Sequence, residues 1–447
     1  MDYTPTSKKR VFSVFVFGAL ADVLFGYDLG VVGVALLFIK VQMHLSPVLQ
    51  GWVVSSLLIG AMIGGASSGK LADRFGRKPI ILSTAIAFAI GAVGAALSPN
   101  VALLILFRFI MGLGVGASSV VVTIYLSEMS PTESRGNLTS LNQFMVILGI
   151  LLAYIVDYLL SPLHAWRLMF GIALIPAIAV FIGMYFGPET PRWLIKNGFE
   201  TEARKVLETI TTSVDDRFKE MKNVIETEKK RHRSRIMTPK MRLAIVAAMG
   251  IAIFPQIMGV NSITYYAPSI LIKVGFTTSA AIIANVGIGA LELLMTIVAM
   301  KLIDHVGRKP LLLIGSIGMA ITMFVNAICF HLMKSGTSHT LGILVLASIA
   351  IYIACFGVSW GTIVRVFISE ILPLEFRGSG MGYVYFFNWV FNFLVGLTFP
   401  VILGSFGADI MFFIFAVICI AAFVFVALLV PETKQRSLEE IELTLNA

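Results

Sequence analysis

Twelve stretches of this chain are apolar for long enough to cross a lipid bilayer. They lie at roughly 11–39, 52–71, 79–97, 101–127, 138–160 and 166–187 in the first half, and at roughly 242–273, 278–303, 310–333, 341–371, 378–402 and 409–430 in the second. A span needs about 20 mostly apolar residues. In hydrocarbon every backbone N–H and C=O must be satisfied within the protein, which leaves helices and closed barrels. These stretches are continuously apolar and lack the two-residue alternation of barrel strands, so helices are expected. With 57% hydrophobic and 13% charged residues, the chain is far from the roughly 25% charge of soluble domains. The expectation is an all-α membrane protein with twelve transmembrane helices.

The net charge of +9 does not indicate a nucleic-acid partner, because the basic residues fall in short loops between spans. Lys8–Arg10, Arg74–Lys78, Arg135, the 188–240 segment, Arg308–Lys309, Arg377 and Lys434–Arg436 all lie on one side. Lys40, Lys273 and Lys334 are the exceptions, each near a span end. The positive-inside rule then puts both termini and the long middle loop in the cytoplasm, with short loops and tails suggesting a prokaryotic plasma membrane. The apolar run after Lys8–Arg10 is too long for a signal peptide and reads as the first span. Thr190–Lys240 is polar enough for short amphipathic helices and reads as a linker between domains. Cys329, Cys355 and Cys419 sit in apolar stretches without metal or CxxC spacing, so buried free thiols are expected.

Three motifs occur twice. LADRFGRKP at Leu71–Pro79 returns as LIDHVGRKP at Leu302–Pro310, YLSEMSPTESRG at 125–136 returns as FISEILPLEFRG at 367–378, and Pro-Glu-Thr at 188–190 returns at 431–433. Each copy lies about half a chain from its partner, the mark of an internal duplication. The division expected is a first six-helix bundle at 1–187, a linker at 188–240, a second six-helix bundle at 241–430 and a tail at 431–447. Two such bundles imply a pseudo-two-fold axis along the membrane normal. Carriers built this way hold a small-molecule substrate between the halves, near the midplane.

The loops LADRFGRKP, LSEMSPTESRG, PETPRWL, IDHVGRKP and PETKQRSLEEIE stand in the order and spacing of the sugar porters of the major facilitator superfamily. The chain resembles that family over nearly its whole length. The resemblance implies two bundles rocking about a central sugar site. It also implies a cytoplasmic latch that holds the outward-facing state, made by Asp73, Arg77, Glu128 and Arg135 and, in the second half, by Asp304, Arg308, Glu370 and Arg377. If neighbouring spans pack as in that fold, Arg74 and Lys78 join Arg77 near Glu128, Glu133 and Arg135. Exposed pairs contribute about 0–1 kcal/mol each, so a set of them suits a reversible latch. The plainer alternative is that these charges only set topology.

An ionisable residue inside a span is costly and marks function by default. Asp28 in span one and Arg108 in span four match the aspartate and arginine of proton-coupled sugar porters, which makes the proton the expected coupling ion; a purely structural ion pair is the alternative. By the same resemblance Gln143, Gln256, Asn261, Asn388 and Trp389 contact the sugar, and Tyr265 and Tyr266 form the outer gate. Amides suit hydroxyls, and aromatic rings suit the C–H faces of a sugar.

Several positions depart from the family pattern. Pro255 stands where a glutamine is usual, Glu292 where an asparagine is usual, and Arg365 where a tryptophan lines the cavity. Asp22 adds another acid, about 120° around the helix from Asp28. Three readings of Glu292 and Arg365 are open. They form an internal ion pair across an axial gap of about 9 Å, or Arg365 binds an anionic substrate such as a sugar acid, or Arg365 snorkels to the cytoplasm and leaves Glu292 as a second protonatable group.

The leading functional expectation is a monomeric proton-coupled symporter of a sugar, polyol or related solute, with a symporter of organic anions as the alternative. A non-transporting nutrient sensor on the same fold is disfavoured by the short tail. Enzymes are disfavoured because no catalytic triad, HExxH or nucleotide loop is visible, and His44, His164 and His331 are scattered. Gly112-x-Gly114-x-Gly116 reads as close helix packing. No cofactor or metal is expected.

Overall fold

The computed structural model describes residues 5–129, 135–211, 213–230, 239–334, 338–372 and 377–433. Side chains are described within those ranges except at 5–19, 135–141, 224, 227–230, 239–241, 243, 304, 369 and 377–379. Among the described residues the regular elements are all helical. They are α1 (Pro5–Gln42), α2 (Pro47–Phe75), α3 (Arg77–Leu97), α4 (Val101–Met129), α5 (Arg135–Leu160), α6 (Trp166–Gly171), α7 (Leu174–Phe186), α8 (Pro191–Lys196), α9 (Glu200–Ile210), α10 (Val214–Lys230), α11 (Pro239–Ile257), α12 (Val260–Lys273), α13 (Thr278–Val306), α14 (Arg308–Met333), α15 (His339–Val358), α16 (Trp360–Ile371), α17 (Arg377–Ser405) and α18 (Ala408–Leu429).

Twelve spans of sufficient length and apolarity are present among the described residues. Nine are single helices. The other three are broken: α6 with α7, α11 with α12, and α15 with α16. The spans form two six-helix bundles, the first from α1 to α7 and the second from α11 to α18. The side carrying α8–α10 is the linker face below, and the opposite side is the far face.

Several helix ends differ from the expected boundaries for local reasons. Helix α2 begins five residues before the expected run, because the Ser46 side chain accepts from the Leu49 N–H at 3.3 Å and Pro47 occupies the first turn. Thr277 caps α13 in the same way. The two loop motifs fold alike. Gly76 (φ 105°) ends α2 and starts α3, and Gly307 (φ 105°) does the same between α13 and α14. That backbone conformation favours glycine, which accounts for the glycine in each copy.

Inside a bilayer the hydrophobic effect does not drive helices together, and association rests on close backbone approach. The glycines supply it. A Cβ at Gly60 would run into the Phe109 carbonyl, one at Gly64 into that of Leu113, one at Gly112 into that of Leu57, and one at Gly116 into that of Ala61. Helices α2 and α4 therefore touch backbone to backbone. Gly26 and Gly149 do the same for α1 and α5.

The two bundles meet along α1 with α12, α2 with α17, and α5 with α13. The linker helices bury Leu194, Ile195, Ala203, Leu207, Phe218 and Ile225 in a small core of their own. An Arg204–Asp215 ion pair and a 2.8 Å Lys222–Glu200 pair join α9 to α10. Arg204 holds the exposed Asp215 carboxyl below the usual carboxylate range. Cys329 and Cys419 are buried free thiols, while Cys355 is only half-buried, a correction to the expectation for that residue.

Candidate functional site

On the linker face the duplicated loops build the same network twice. Arg77 Nη2 lies 3.0 Å from Asp73 and 3.1 Å from Glu128, and Nη1 donates to the Ala72 carbonyl. Arg308 Nη2 lies 2.9 Å from Glu370, and Nη1 donates to the Ile303 carbonyl. Glu189, from the first Pro-Glu-Thr, accepts from the backbone N–H groups of Arg77 and Lys78 at 3.1 and 3.0 Å. Glu432, from the second, accepts from those of Arg308 and Lys309, both at 3.0 Å. Each glutamate caps the start of a membrane helix, where orphan donors and the helix dipole favour an anion. Burial pushes the Glu189 carboxyl above its ordinary range, against the opposing effect of those N–H groups.

Two expectations need correction here. Arg74 stacks over Phe75, and Lys78 Nζ donates to the Tyr185 carbonyl, so neither reaches Glu128. Among the described residues these pairs also tie helices of one bundle to each other and not one bundle to its partner. Glu133 lies outside the described residues, as do the side chains of Arg135, Asp304 and Arg377.

In the interior the structure brings Asp28 and Arg108 together. Each is 1% exposed, with Arg108 Nη1 at 3.6 Å from Asp28 Oδ1. Arg108 Nε also donates to the Val53 carbonyl at 2.6 Å, and its guanidinium lies 5.4 Å from the centre of the Phe170 ring. At 3.6 Å the pair is ionic rather than hydrogen-bonded, and neither Asp28 oxygen has a hydrogen bond. Removing one charge of a buried pair strands the other, at a cost of about 3–5 kcal/mol. Protonating Asp28 is such a removal, so the pair can act as a switch. Tyr265, buried on α12 of the other bundle, lies within electrostatic reach of both members.

The expected substrate residues divide into two groups. Gln256 and Asn261 flank the break between α11 and α12, where Gly259 takes φ 88° and Pro255 interrupts the preceding turn. The break turns Asn261 Nδ2 onto Gln256 Oε1 at 2.6 Å. Gln143 is half-buried on α5. Asn388 Nδ2 donates to the Ala252 carbonyl at 2.8 Å, which ties α17 to α11, and Trp389 sets its ring against Phe25 of the first bundle at 5.7 Å. Asn388 and Trp389 thus also serve packing.

Tyr265 and Tyr266 are each 2% exposed, and the Tyr266 hydroxyl donates to the Gly396 carbonyl at 3.4 Å. Trp52 meets Phe393 at 6.1 Å on the same side, and the backbone at Gly33 approaches that at Thr264. The two bundles therefore touch on the far face.

Glu292 and Arg365 are not an ion pair. No contact within 4.0 Å joins them. Arg365 lies within electrostatic reach of Asp22 and Tyr385 instead. The neighbouring packing explains why. Phe25 meets Trp389 across the bundles, and one turn nearer the linker face those two helices carry Asp22 and Tyr385. Glu292 is 5% exposed and faces Tyr154 of α5. Asp22 and Arg365 are likewise not joined by any contact within 4.0 Å.

Sequence reasoning missed Asp157, which is 0% exposed on α5, although an acid in LLAYIVDYLL was a visible signal. It also read the Pro-Glu-Thr repeats as signs of duplication and of family resemblance, not as helix caps. It passed over Asn392, whose side chain is buried beside the Tyr265 hydroxyl. Among the described residues no cluster of three or more His, Cys, Asp or Glu side chains suits a metal.

The family model described as "Sugar (and other) transporter" matches residues 14–445. The D-xylose transporter of Levilactobacillus brevis is 43% identical, with 97% of this chain and 95% of that protein covered. The glucose transporter GlcP of Staphylococcus epidermidis is 40% identical, with 97% of each chain covered. The inward-open structure of the E. coli xylose transporter XylE superposes with a TM-score of 0.82 at 32% identity, covering 97% of this chain and 99% of that one. In another structure XylE is described as a proton:xylose symporter.

Proposed function

We propose that this chain, which belongs to the sugar transporter family of the major facilitator superfamily, couples entry of a neutral sugar or polyol to entry of a proton by alternating access. The observation that carries the coupling is the buried Asp28–Arg108 pair at 3.6 Å. It sits where Tyr265 of the opposite bundle closes on it, so its protonation bears on bundle separation.

In this reading the protein is a carrier and not an enzyme, and it works as a monomer in the cell membrane. The linker face is cytoplasmic and the far face external. Contact between the bundles on the far face supports reading this as the cytoplasm-facing half of the cycle. Asp28 takes a proton from outside and releases Arg108. Sugar then binds among Gln143, Gln256, Asn261, Asn388 and Trp389. Tyr265 and Tyr266 close over it, and the linker faces of the two bundles part as substrate and proton leave inward. Arg77–Glu128 and Arg308–Glu370 act by bracing each bundle as a rigid unit, with Arg135, Asp304 and Arg377 completing the latch.

The sugar-acid reading loses its support. The relatives named above are transporters of D-xylose and glucose, which are neutral. Uptake into proteoliposomes of D-xylose, D-glucose, myo-inositol and D-glucuronate, with and without an inward pH gradient, tests the proposal. Accumulation of a neutral solute driven by the gradient is expected. The Asp28→Asn variant should lose that accumulation while retaining counterflow exchange. Gradient-independent uptake by the wild type would overturn the coupling.

A further inference from the structure

We infer that Glu292, the buried acid with neither a cation in reach nor a full covering of protein among the described residues, recognises an amine on the substrate, so that the carrier takes amino sugars alongside neutral ones. The inference rests on the carrier reading of this chain and is independent of proton coupling through Asp28.

Glu292 lies beside the residues expected to hold substrate. A Cβ on Gly289 of α13 would lie 2.7 Å from Cδ2 of Tyr154 on α5, so that glycine is the notch that admits the ring. The Tyr154 hydroxyl lies 3.5 Å from the Thr264 carbonyl of α12. Gly289, Tyr154 and Thr264 therefore share one level. Glu292 comes three residues after Gly289 on the same face of α13, and Asn261 three residues before Thr264 on α12. Helix α13 runs away from the far face and α12 toward it, so both residues lie about 4.5 Å nearer the linker face. Glu292 thus stands at the depth of Asn261 and of the break between α11 and α12. The break between α15 and α16 is alongside as well, because a Cβ on Gly357 would lie 3.5 Å from the Glu292 carbonyl.

Each of the other buried acids is spoken for. Asp28 has Arg108 at 3.6 Å, Glu128 has Arg77 at 3.1 Å and Asp409 has Lys334 at 2.6 Å. Asp22 has Arg365 at electrostatic range. Asp157 has no cation, but both of its oxygens are completely covered, so no ligand reaches them. Glu292 is 5% exposed and has no cation within 4.0 Å or at longer electrostatic range. Neither of its carboxylate oxygens makes a hydrogen bond among the described residues, and neither is fully enclosed.

A carboxylate held away from bulk water needs a cation or hydrogen-bond donors. Water can supply donors while the carrier is empty. A bound solute displaces that water and must supply them itself. The asparagine usual at this position both donates and accepts, which suits a hydroxyl in either role. An ionised carboxylate only accepts, so it is matched best by a group that only donates. An ammonium brings up to three N–H donors and a full positive charge, and such charge-assisted bonds are about twice as strong as neutral ones. Neutral sugars still bind, through those hydroxyls that donate.

Counterflow exchange in proteoliposomes of the full chain, without a pH gradient, tests this apart from coupling. The labelled solute is the best transported of D-xylose, D-glucose and myo-inositol. The unlabelled competitors are D-glucose, D-glucosamine and the isomers of D-glucosamine with the amine at C3 or C6, at a pH where the amine is protonated. At least one amino sugar should compete about tenfold better than D-glucose, the difference expected of one charge-assisted bond. N-acetyl-D-glucosamine, which keeps the nitrogen and loses the charge, should not share the gain. In Glu292→Gln and Glu292→Asn the preference for the amine over D-glucose should fall by the same factor, read on whatever exchange each variant retains. The inference is overturned, and neutral-sugar symport left standing, by any of three results: no amino sugar outcompetes D-glucose in the wild type, N-acetyl-D-glucosamine competes as well as the amine, or both variants keep the preference. Absence of exchange of every solute overturns both.

Discussion

At the scale of single residues the chain uses buried charge in two ways. Glu189 and Glu432 are satisfied charges, each accepting two backbone N–H groups at the start of a membrane helix. Glu189→Ala should therefore destabilise the first bundle by about 1–3 kcal/mol, seen as a lower Tm in detergent. Glu189→Gln should recover only part of this, since it keeps the shape and loses the charge. Asp22 is the second kind, a buried carboxyl with an oxygen that no hydrogen bond satisfies, and Arg365 of the opposite bundle lies at electrostatic range of it but not within 4.0 Å. Asp22→Asn and Arg365→Gln should each impair transport or stability more than the double variant does. A double-mutant cycle should show a coupling of about 0.5–3 kcal/mol. Strict additivity would mean that the two do not interact.

At the scale of elements the interior is organised by where helices touch and where they break. Gly60, Gly64, Gly112 and Gly116 let α2 and α4 meet backbone to backbone. A Gly116→Leu substitution has nowhere to put its side chain except into the α2 backbone at Ala61. It should prevent assembly of the first bundle, visible as loss of the monodisperse peak on size-exclusion chromatography. Gly69, which has nothing within 4 Å of its Cβ position, should tolerate alanine. The breaks matter for a different reason. At Gly259 the chain turns out of α11 and into α12, and Gln256 and Asn261 meet across that turn. At Ser359 the α15–α16 break is pinned by Trp360, 0% exposed, whose Nε1 donates to Ser316 Oγ at 2.9 Å. Broken helices put amides and free backbone groups at depths where continuous helices would offer only apolar side chains.

At the scale of the whole molecule the two bundles are in contact on the far face. A Cβ on Gly396 would lie 2.9 Å from Ser55 Oγ of the other bundle, close to the geometry of a disulfide. A Ser55→Cys/Gly396→Cys double variant should form that cross-link on mild oxidation, arrest transport and recover on reduction. Failure to cross-link in membranes, with both thiols shown to react singly, would mean that the two bundles do not close there. The matched networks of the two halves, Arg77 with Glu128 and Arg308 with Glu370, brace each bundle within itself. Among the described residues, contact between the bundles falls mainly to α1 with α12, α2 with α17 and α5 with α13.

Much of this was legible in the order of residues. The apolar runs dictated twelve spans, because a chain in hydrocarbon has no alternative to internal hydrogen bonding. The duplicated loops dictated two like halves, and Asp28 with Arg108 announced a buried pair, because unmatched charges rarely survive in a span. Lateral partnership was not legible. A one-dimensional pattern gives a residue's depth and its helix face, but the neighbour on that face belongs to another part of the chain. Depth alone made Glu292 a candidate partner for Arg365. Only the packing of α5 against α13 decided that Glu292 lies beside Tyr154 and out of contact with Arg365.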